Sequence, residues 1–143
     1  MDDLDKALIA QLQTDARQSV ATLARKMRVA RTTVQSRLDR LETSGAIAGY
    51  TIKLGDAAAR RLIRASILVS IEPRGQAAVL TRLRSIPEIE RAFTTSGRFD
   101  LLLQVAAENT AALDQVLDLI GDLPGVRSSE SLIHLTTRID RVT

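Results

Sequence analysis

The chain lacks cysteine and is poor in aromatic residues, and these two features limit its possible chemistry and the residues that can form its core. None of its 143 residues is cysteine, so disulfides, thiol redox chemistry and cysteine-ligated metals are excluded. Aromatic residues make up 2% of the chain and hydrophobic residues 45%, so a core must be built from Leu, Ile, Val and Ala. No apolar run approaches the ~18 residues that span a bilayer, and the acidic opening MDDLDKAL is unlike a signal peptide. We therefore expect a cytoplasmic protein.

Motifs of the common enzyme classes are also missing. The sequence has no P-loop, no dinucleotide-binding fingerprint and no nucleophile elbow. Its single histidine, His134, lies in the last predicted strand, where a place in an interface is a better interpretation than a catalytic role. Asp114, Asp118 and Asp122 recur every four residues, which is typical of a solvated helix face. We expect no cofactor, no bound metal and no catalytic residue.

Positive charge is concentrated between positions 17 and 40, although the whole chain has a formal net charge of only +3. Asp39 is the only acidic residue in this stretch. An amphipathic helix pair whose charge has one sign is suited to docking on DNA phosphates. The cations are Arg17, Arg25, Lys26, Arg28, Arg31, Arg37 and Arg40.

Apolar spacing predicts three helices in the first 45 residues. Leu4, Leu8 and Leu12 recur every four positions along the first helix. Ser19 is a suitable N-cap for a second helix with a short apolar face. A third helix follows a tight connection and ends at Gly45, which is a plausible C-cap residue. This order predicts a helix-turn-helix.

Residues 47–54, with Ile47, Tyr50 and Ile52 as their apolar or aromatic members, predict a short β wing, which completes a winged helix-turn-helix domain at 1–54. A linker at 55–64 follows, and its Ala- and Arg-rich part at 55–61 predicts some helix. Residues 65–143 then form the second predicted domain.

The second domain has a different apolar period. Alternating side chains predict strands, four-residue spacing predicts helices, and Thr110 is a fitting N-cap. The order βαββαβ predicts a ferredoxin-like unit and an α+β protein. The strands are predicted at 67–71, 89–95, 100–106 and 126–138, and the helices at 75–86 and 110–123.

Large apolar side chains lie on both faces of this predicted sheet. Leu68 follows Ile67, and Leu101, Leu102 and Leu103 are consecutive. Two helices cover only one face of a four-stranded sheet, and burial of a large Leu contributes ~1.5–3 kcal/mol. We therefore expect a second copy of the chain to cover the other face, sheet on sheet.

The third helix is the predicted DNA-reading helix, because its outward positions carry short or medium polar side chains that form hydrogen bonds. The second helix of a helix-turn-helix presents its N-terminal residues to base edges in the major groove. Arg31 is placed against the helix dipole, at a cost of up to ~1 kcal/mol, and Ala30 supplies no side-chain cap. This local conflict indicates a function for Arg31. The predicted DNA-binding residues are Arg25, Lys26, Arg28, Arg31, Thr32, Thr33, Gln35, Ser36 and Arg40.

The assembled pattern resembles the Lrp/AsnC family of bacterial and archaeal regulators. The resemblance is carried by LDKALIAQLQTDARQSVATLAR, TTVQSRLDRLETSGAIAGYT, SGRFDLLLQV and LPGVRSSESLI, which follow one another in the family's order. It implies an N-terminal DNA-reading domain, a C-terminal ligand-sensing RAM domain, and dimers that assemble into octamers or larger forms. It also implies a small effector, usually an amino acid, bound between neighbouring RAM domains.

The resemblance places the effector site at a loop matching G-x-[FY]-D and at the residues after the second RAM helix. Glycine lets backbone N–H groups approach a carboxylate, and Asp100 could receive an ammonium group. A purely structural interpretation, with SGRFD as a hairpin turn and LPGV as a helix stop, stays open. The predicted effector-binding residues are Gly97, Arg98, Phe99, Asp100, Gly125, Ser129 and Ser131.

Two departures from the family pattern leave alternatives open. Ala30-Arg31 replaces the usual Ser-Pro before the reading helix, and Arg98 brings a large cation into the loop. A ligand-independent architectural DNA-binding protein would use the same basic patch, and relatives of this architecture that decarboxylate sirohaem show that the fold admits catalysis. The sequence does not identify the effector, the operator, the sign of regulation or the oligomer size.

Overall fold

The computed structural model describes residues 1–141, which form two compact units. The N-terminal unit extends from Met1 to Ala57 and the C-terminal unit from Ala58 to Asp140. The order of elements is three helices, then strand–helix–strand–strand–helix–strand. The structure confirms the predicted combination of a helix-turn-helix with a ferredoxin-like α+β unit.

The N-terminal unit consists of α1 (Asp3–Thr14), α2 (Val20–Met27) and α3 (Arg31–Thr43). Its core is aliphatic, as the composition requires, and fully buries Leu8 and Leu23, with relative exposures of 1% and 0%. The burial of such side chains is the main source of stability for a unit this small. The other core members are Ala24, Val34, Leu38 and Leu41.

The three helices of this unit begin at three different N-cap residues, two of which form a side-chain cap. The Asp2 side chain accepts from the Asp5 N–H and Asp5 reaches back to Asp2, which is a reciprocal capping box. Ser19 caps α2 by accepting from Thr22 N–H at 3.0 Å. Ala30 begins α3 without any side-chain hydrogen bond.

The predicted β wing at 47–54 is wrong, because the structure has no strand there. An isolated extended segment gains no ladder hydrogen bonds, and none of the residues 1–141 forms a strand beside it. Ile47 N–H donates to Leu41 O at 3.0 Å, but Ile52 and Leu54 are exposed. The predicted helix in the linker at 55–61 is also wrong, since only a turn forms there.

The C-terminal unit is one antiparallel sheet with the strand order β2-β3-β1-β4 and two helices. The helix α5 is capped by Asn109, whose side chain accepts from Ala112 N–H at 2.8 Å, so the predicted Thr110 cap is wrong by one residue. The last strand ends earlier than the predicted residue 138. The elements are β1 (Ile63–Ile71), α4 (Gln76–Leu83), β2 (Ile89–Thr94), β3 (Leu101–Ala107), α5 (Thr110–Gly121) and β4 (Val126–Ile133).

The two faces of the sheet differ sharply in burial. Alternate β1 residues, from Ala65 to Ile71, are buried with α4 and α5, together with Leu101 and Leu103 of β3. The opposite face, here called the open face, carries the intervening side chains. Its apolar members are Leu68, Leu102, Phe93 and Leu132, of which Phe93 is 37% and Leu132 51% exposed.

Candidate DNA-binding surface and effector loop

The connection between α2 and α3 brings the predicted DNA-binding residues onto one short segment. Arg28 ends α2 in a left-handed conformation with φ 57°, and its backbone N–H donates to the Ala24 and Arg25 carbonyls. Ala30 is extended, and α3 starts at the next residue. Of the nine predicted residues, Thr33 is half-buried and the other eight are exposed.

These side chains differ in whether they already form hydrogen bonds or ion pairs within the chain. Lys26 Nζ donates to Gln18 Oε1 at 2.7 Å, and Gln35 Nε2 donates to Asp39 Oδ1 at 2.8 Å. Three of the four other predicted cations have no such contact. Arg25, Arg28 and Arg31 form no side-chain hydrogen bond or ion pair within residues 1–141. These three guanidinium groups are therefore the ones most available to an external anion.

Arg37 belongs to the same basic segment but has a structural role that was not predicted from the sequence. Its Nη1 pairs with Asp2 and with Asp5 Oδ1, the latter at 3.2 Å. Asp5 is 4% exposed, and Arg40 Nη2 lies 3.7 Å from its other oxygen. The hydrogen bond from Arg37, aided by the capping bond with Asp5, lowers the pKa of Asp2 to about 2. The two carboxylates that cap α1 therefore also hold α3.

A signal for this role was present in the sequence. Arg37 lies three residues after Val34 and four before Leu41, so helical spacing places it at the edge of the buried face of α3. A cation at such an edge needs a partner, and the acidic start of α1 is the complementary charge.

The predicted effector residues gather around the end of β1. Asp100 N–H donates to Val69 O at 2.8 Å, and Asp100 Oδ2 accepts from Ile71 N–H at 2.7 Å. Val69 is paired on its other side with Ser129 of β4. The residues 69–72 thus form the scaffold that holds the two predicted loops.

The loop between α5 and β4, which contains Gly125, is fixed by close packing. Glu72 N–H donates to Gly125 O at 2.9 Å. Gly125 has φ 95°, and a Cβ at this position would lie 2.9 Å from Val79 Cγ2. Only glycine fits without displacing the backbone or the valine.

The loop at 96–99 is exposed except for half-buried Phe99. Thr95 Oγ1 donates to Phe99 O at 2.8 Å, and Gly97 has φ 122°. The Arg98 guanidinium lies 5.2 Å from the Phe99 ring centroid, and Arg98 Nη2 is 3.8 Å from Glu130 Oε2. An ion pair this exposed contributes little to stability.

The strand register separates the remaining predicted residues. Ser129 and Ser131 pair with the buried Val69 and Ile67, so they share the helix side of the sheet. Glu130 pairs with Leu68 on the open face and is the residue that meets Arg98. Within one chain, Gly97–Asp100, Gly125 and Ser129 therefore lie at one end of the sheet. Ser131 lies two residues further along β4, away from that end.

Family models match both units of the chain. Residues 1–42 match the AsnC-type helix-turn-helix domain, and residues 64–143 match the Lrp/AsnC ligand binding domain. The chain belongs to the Lrp/AsnC family. Among its relatives, the HTH-type transcriptional regulator FL11 of Pyrococcus horikoshii is 30% identical over 96% of this chain and 91% of its own length.

Solved structures of other family members have the same fold. AsnC of E. coli superposes with a TM-score of 0.90 at 26% identity, covering 100% of this chain and 97% of its own. The feast or famine regulatory protein of M. tuberculosis, complexed with L-methionine, gives a TM-score of 0.84 at 29% identity, covering 99% and 97%. Within residues 1–141, this Lrp/AsnC chain has no group of three or more His, Asp or Glu able to hold a metal ion. No helix of that same span is long and apolar enough to cross a membrane.

Proposed function

We propose that this Lrp/AsnC chain is a cytoplasmic, sequence-specific transcriptional regulator of double-stranded DNA that responds to a small effector, and that it is not an enzyme. Residues 1–54 act as the DNA-binding domain, 55–64 as the linker, and 65–143 as the effector-binding and oligomerisation domain. The observation that carries the proposal is the set of three exposed guanidinium groups without a side-chain partner among residues 1–141, Arg25, Arg28 and Arg31, at the end of α2 and the start of α3.

In this function α3 enters the major groove with its N-terminal turn towards the bases. Arg31, Thr32, Thr33, Gln35 and Ser36 contact base edges and nearby phosphates. Arginine is well suited to the bidentate geometry of guanine and phosphate. Gln35 must exchange its bond with Asp39 for a contact with DNA. The backbone contacts come from Arg25, Lys26, Arg28 and Arg40.

A two-fold dimer follows from the size of this domain, since one short helix reads few base pairs. The open face of the sheet supplies the contact, because Leu68, Leu102, Phe93 and Leu132 leave an apolar surface that a second copy would cover. Full burial of each large side chain contributes about 1.5–3 kcal/mol. Dimers related by this contact then assemble further into octamers or larger forms.

The effector is an amino acid, a proposal supported by the L-methionine bound to the M. tuberculosis relative. It binds between copies at Gly97, Arg98, Phe99 and Asp100, with Gly125, Ser129 and Ser131 completing the site. Asp100 Oδ2 is held by Ile71 N–H, so Oδ1 is the atom that receives the effector's ammonium group. The effector changes DNA affinity only through different affinities for two assembly states.

The test is fluorescence anisotropy of the DNA upstream of the protein's own gene, against scrambled DNA at fixed salt. Arg31→Ala should weaken specific binding by roughly tenfold, since a good base contact contributes about 1–3 kcal/mol. Lys6→Ala on α1 removes the same charge and should change little. Equal loss in both variants would contradict the assignment of the reading surface, and equal affinity for both DNAs would favour an architectural protein.

The effector arm of the test adds each amino acid in turn to the wild-type complex. A shift in affinity that is lost in Asp100→Asn, while basal DNA binding stays, supports the loop as the effector site. A response that is unchanged in this variant would place the effector elsewhere.

A further inference from the structure

A polar cavity of about 320 Å³ lies against β1, β2 and β3 away from the effector loop. It is lined by Arg64, Glu90, Arg91, Gln104 and His134, together with two core residues. Along β1 it is centred near Ala65, whereas the effector loop meets Val69. Four residues of strand separate them by about 13 Å, so the two sites are distinct.

The polar side chains of this cavity are placed by strand register on the open face. Arg91 of β2 pairs with Gln104 of β3, and Gln104 pairs with Ser66 of β1. Directly opposed residues have Cβ atoms about 4.5–5.5 Å apart, so the three form one continuous row across the sheet. His134 Nε2 lies 2.8 Å from Ser66 Oγ and extends the row at its far end.

The charges in the cavity do not balance. Arg64 Nε donates to Glu90 Oε1 at 3.0 Å, which accounts for one cation and the one carboxylate. Arg91 lies over the Phe93 ring, 4.8 Å from its centroid. No carboxylate among residues 1–141 forms an ion pair with Arg91. The cavity therefore has one surplus positive charge, that of Arg91.

In the dimer proposed above, the unpaired charge of Arg91 would be energetically unfavourable. A second copy over the open face would remove Arg91 from water, and an unpaired buried charge is strongly unfavourable. An anion in the cavity would remove that penalty, with hydrogen-bond donors already in position. The closure of the site rests on that proposed dimer, whereas the row of donors exists in a single chain.

We propose that this cavity binds a small dicarboxylate. One carboxylate pairs with the Arg91 guanidinium and accepts from the Gln104 amide. The other lies about one strand spacing further along the row, about 4.7–4.9 Å, where Ser66 and His134 supply donors. The cavity volume is in the range of small-molecule sites.

The probe is succinate, titrated calorimetrically into the full-length protein at pH 7 and constant ionic strength, with uncharged succinamide as its isosteric control. Succinate should bind and succinamide should not. Arg91→Gln should weaken succinate binding by about tenfold, because a charge-assisted pair is lost. Arg127→Gln, which removes an exposed arginine of β4 outside the cavity lining, should leave it unchanged.

Two further measurements separate this site from the proposed function. Arg98→Gln in the effector loop should not affect succinate binding; an equal loss there would assign succinate to the effector loop and overturn the second site. Sedimentation of the same samples reports the dimer independently. Absence of succinate binding, or equal binding in Arg91→Gln, refutes the dicarboxylate site whatever the oligomeric state, while a monomer that binds succinate refutes only the dimer.

Discussion

The chain contains two helix N-caps with nearly the same backbone geometry and different side chains, which makes a reciprocal test of capping possible. Ser19 has φ −69° and ψ 156°, and Ala30 has φ −69° and ψ 150°. Ser19 Oγ accepts from Thr22 N–H, whereas the corresponding Thr33 N–H has only the Ala30 carbonyl, at 3.1 Å. Ala30→Ser should therefore stabilise the N-terminal unit by about 1 kcal/mol, and Ser19→Ala should destabilise it by about the same amount.

The assay is urea denaturation followed by circular dichroism, with thermal unfolding as a second measure. If the N-terminal unit unfolds alone, 1 kcal/mol corresponds to roughly 4–8 °C; if the whole chain unfolds together, the shift is roughly 2–4 °C. The double variant Ser19→Ala/Ala30→Ser should lie within about 0.5 kcal/mol of wild type, since the caps share no partner. An Ala30→Ser variant that is unchanged or destabilised would refute the reasoning, because it would show that the missing cap carries no energetic cost at this turn.

Three further outcomes follow from single groups. Gly125→Ala should destabilise the C-terminal unit by more than about 2 kcal/mol in urea titrations, because φ is 95° and the new Cβ would collide with a methyl group of Val79. Gly55→Ala is the control: no atom lies near its Cβ position, so the free energy of unfolding should change by less than about 0.5 kcal/mol. The pKa of Asp2 is lowered from 3.8 to about 2, so the ionised carboxylate stabilises the fold above its unfolded-state pKa, and this stabilisation is lost as the pH falls towards 2. In Asp2→Asn the urea midpoint should depend less on pH over this range. Burial and a hydrogen bond to a glutamate of α3 raise the pKa of Tyr50 from 10.0 to about 12, so its contribution is present below pH 10 and lost as pH rises to 12. Because Tyr50 is the only tyrosine, phenolate absorbance titrates it alone, and a midpoint near 10 would contradict the contact.

Most of the fold could be predicted from the sequence because its local signals agree with one another. In the N-terminal unit, four-residue apolar spacing, the Ser19 cap and Gly45 all indicate the helices that form. In the second half, alternation of side chains indicates strands whose buried members follow the predicted period. The predicted wing is wrong because a few apolar side chains, such as Tyr50 and Ile52, do not by themselves specify a strand. A strand also needs a neighbour, and nothing local to 47–54 indicates one.

The candidate site was less predictable, because a residue's chemistry depends on what it meets across the fold. Arg37 and Arg31 are chemically the same and six residues apart, yet Arg37 is held by two carboxylates of α1 and Arg31 has no partner among the described residues. Asp100 is predicted to receive an effector's ammonium group, and no local pattern indicates that its Oδ2 also accepts from Ile71 N–H at the end of β1. Glu130 was not singled out at all, although it is the carboxylate nearest to Arg98.

The ion pairs that the cations form in the free protein determine which of them can bind DNA. A guanidinium already paired in the free protein must break that pair before it contacts a phosphate, and the broken contact is subtracted from the gain. Arg37 would leave Asp5 buried without its main partner, so its use by DNA would cost the packing of α1 on α3. Arg31 loses only water. The DNA surface of this regulator is therefore expected to be smaller than its basic segment, and centred on Arg25, Arg28 and Arg31.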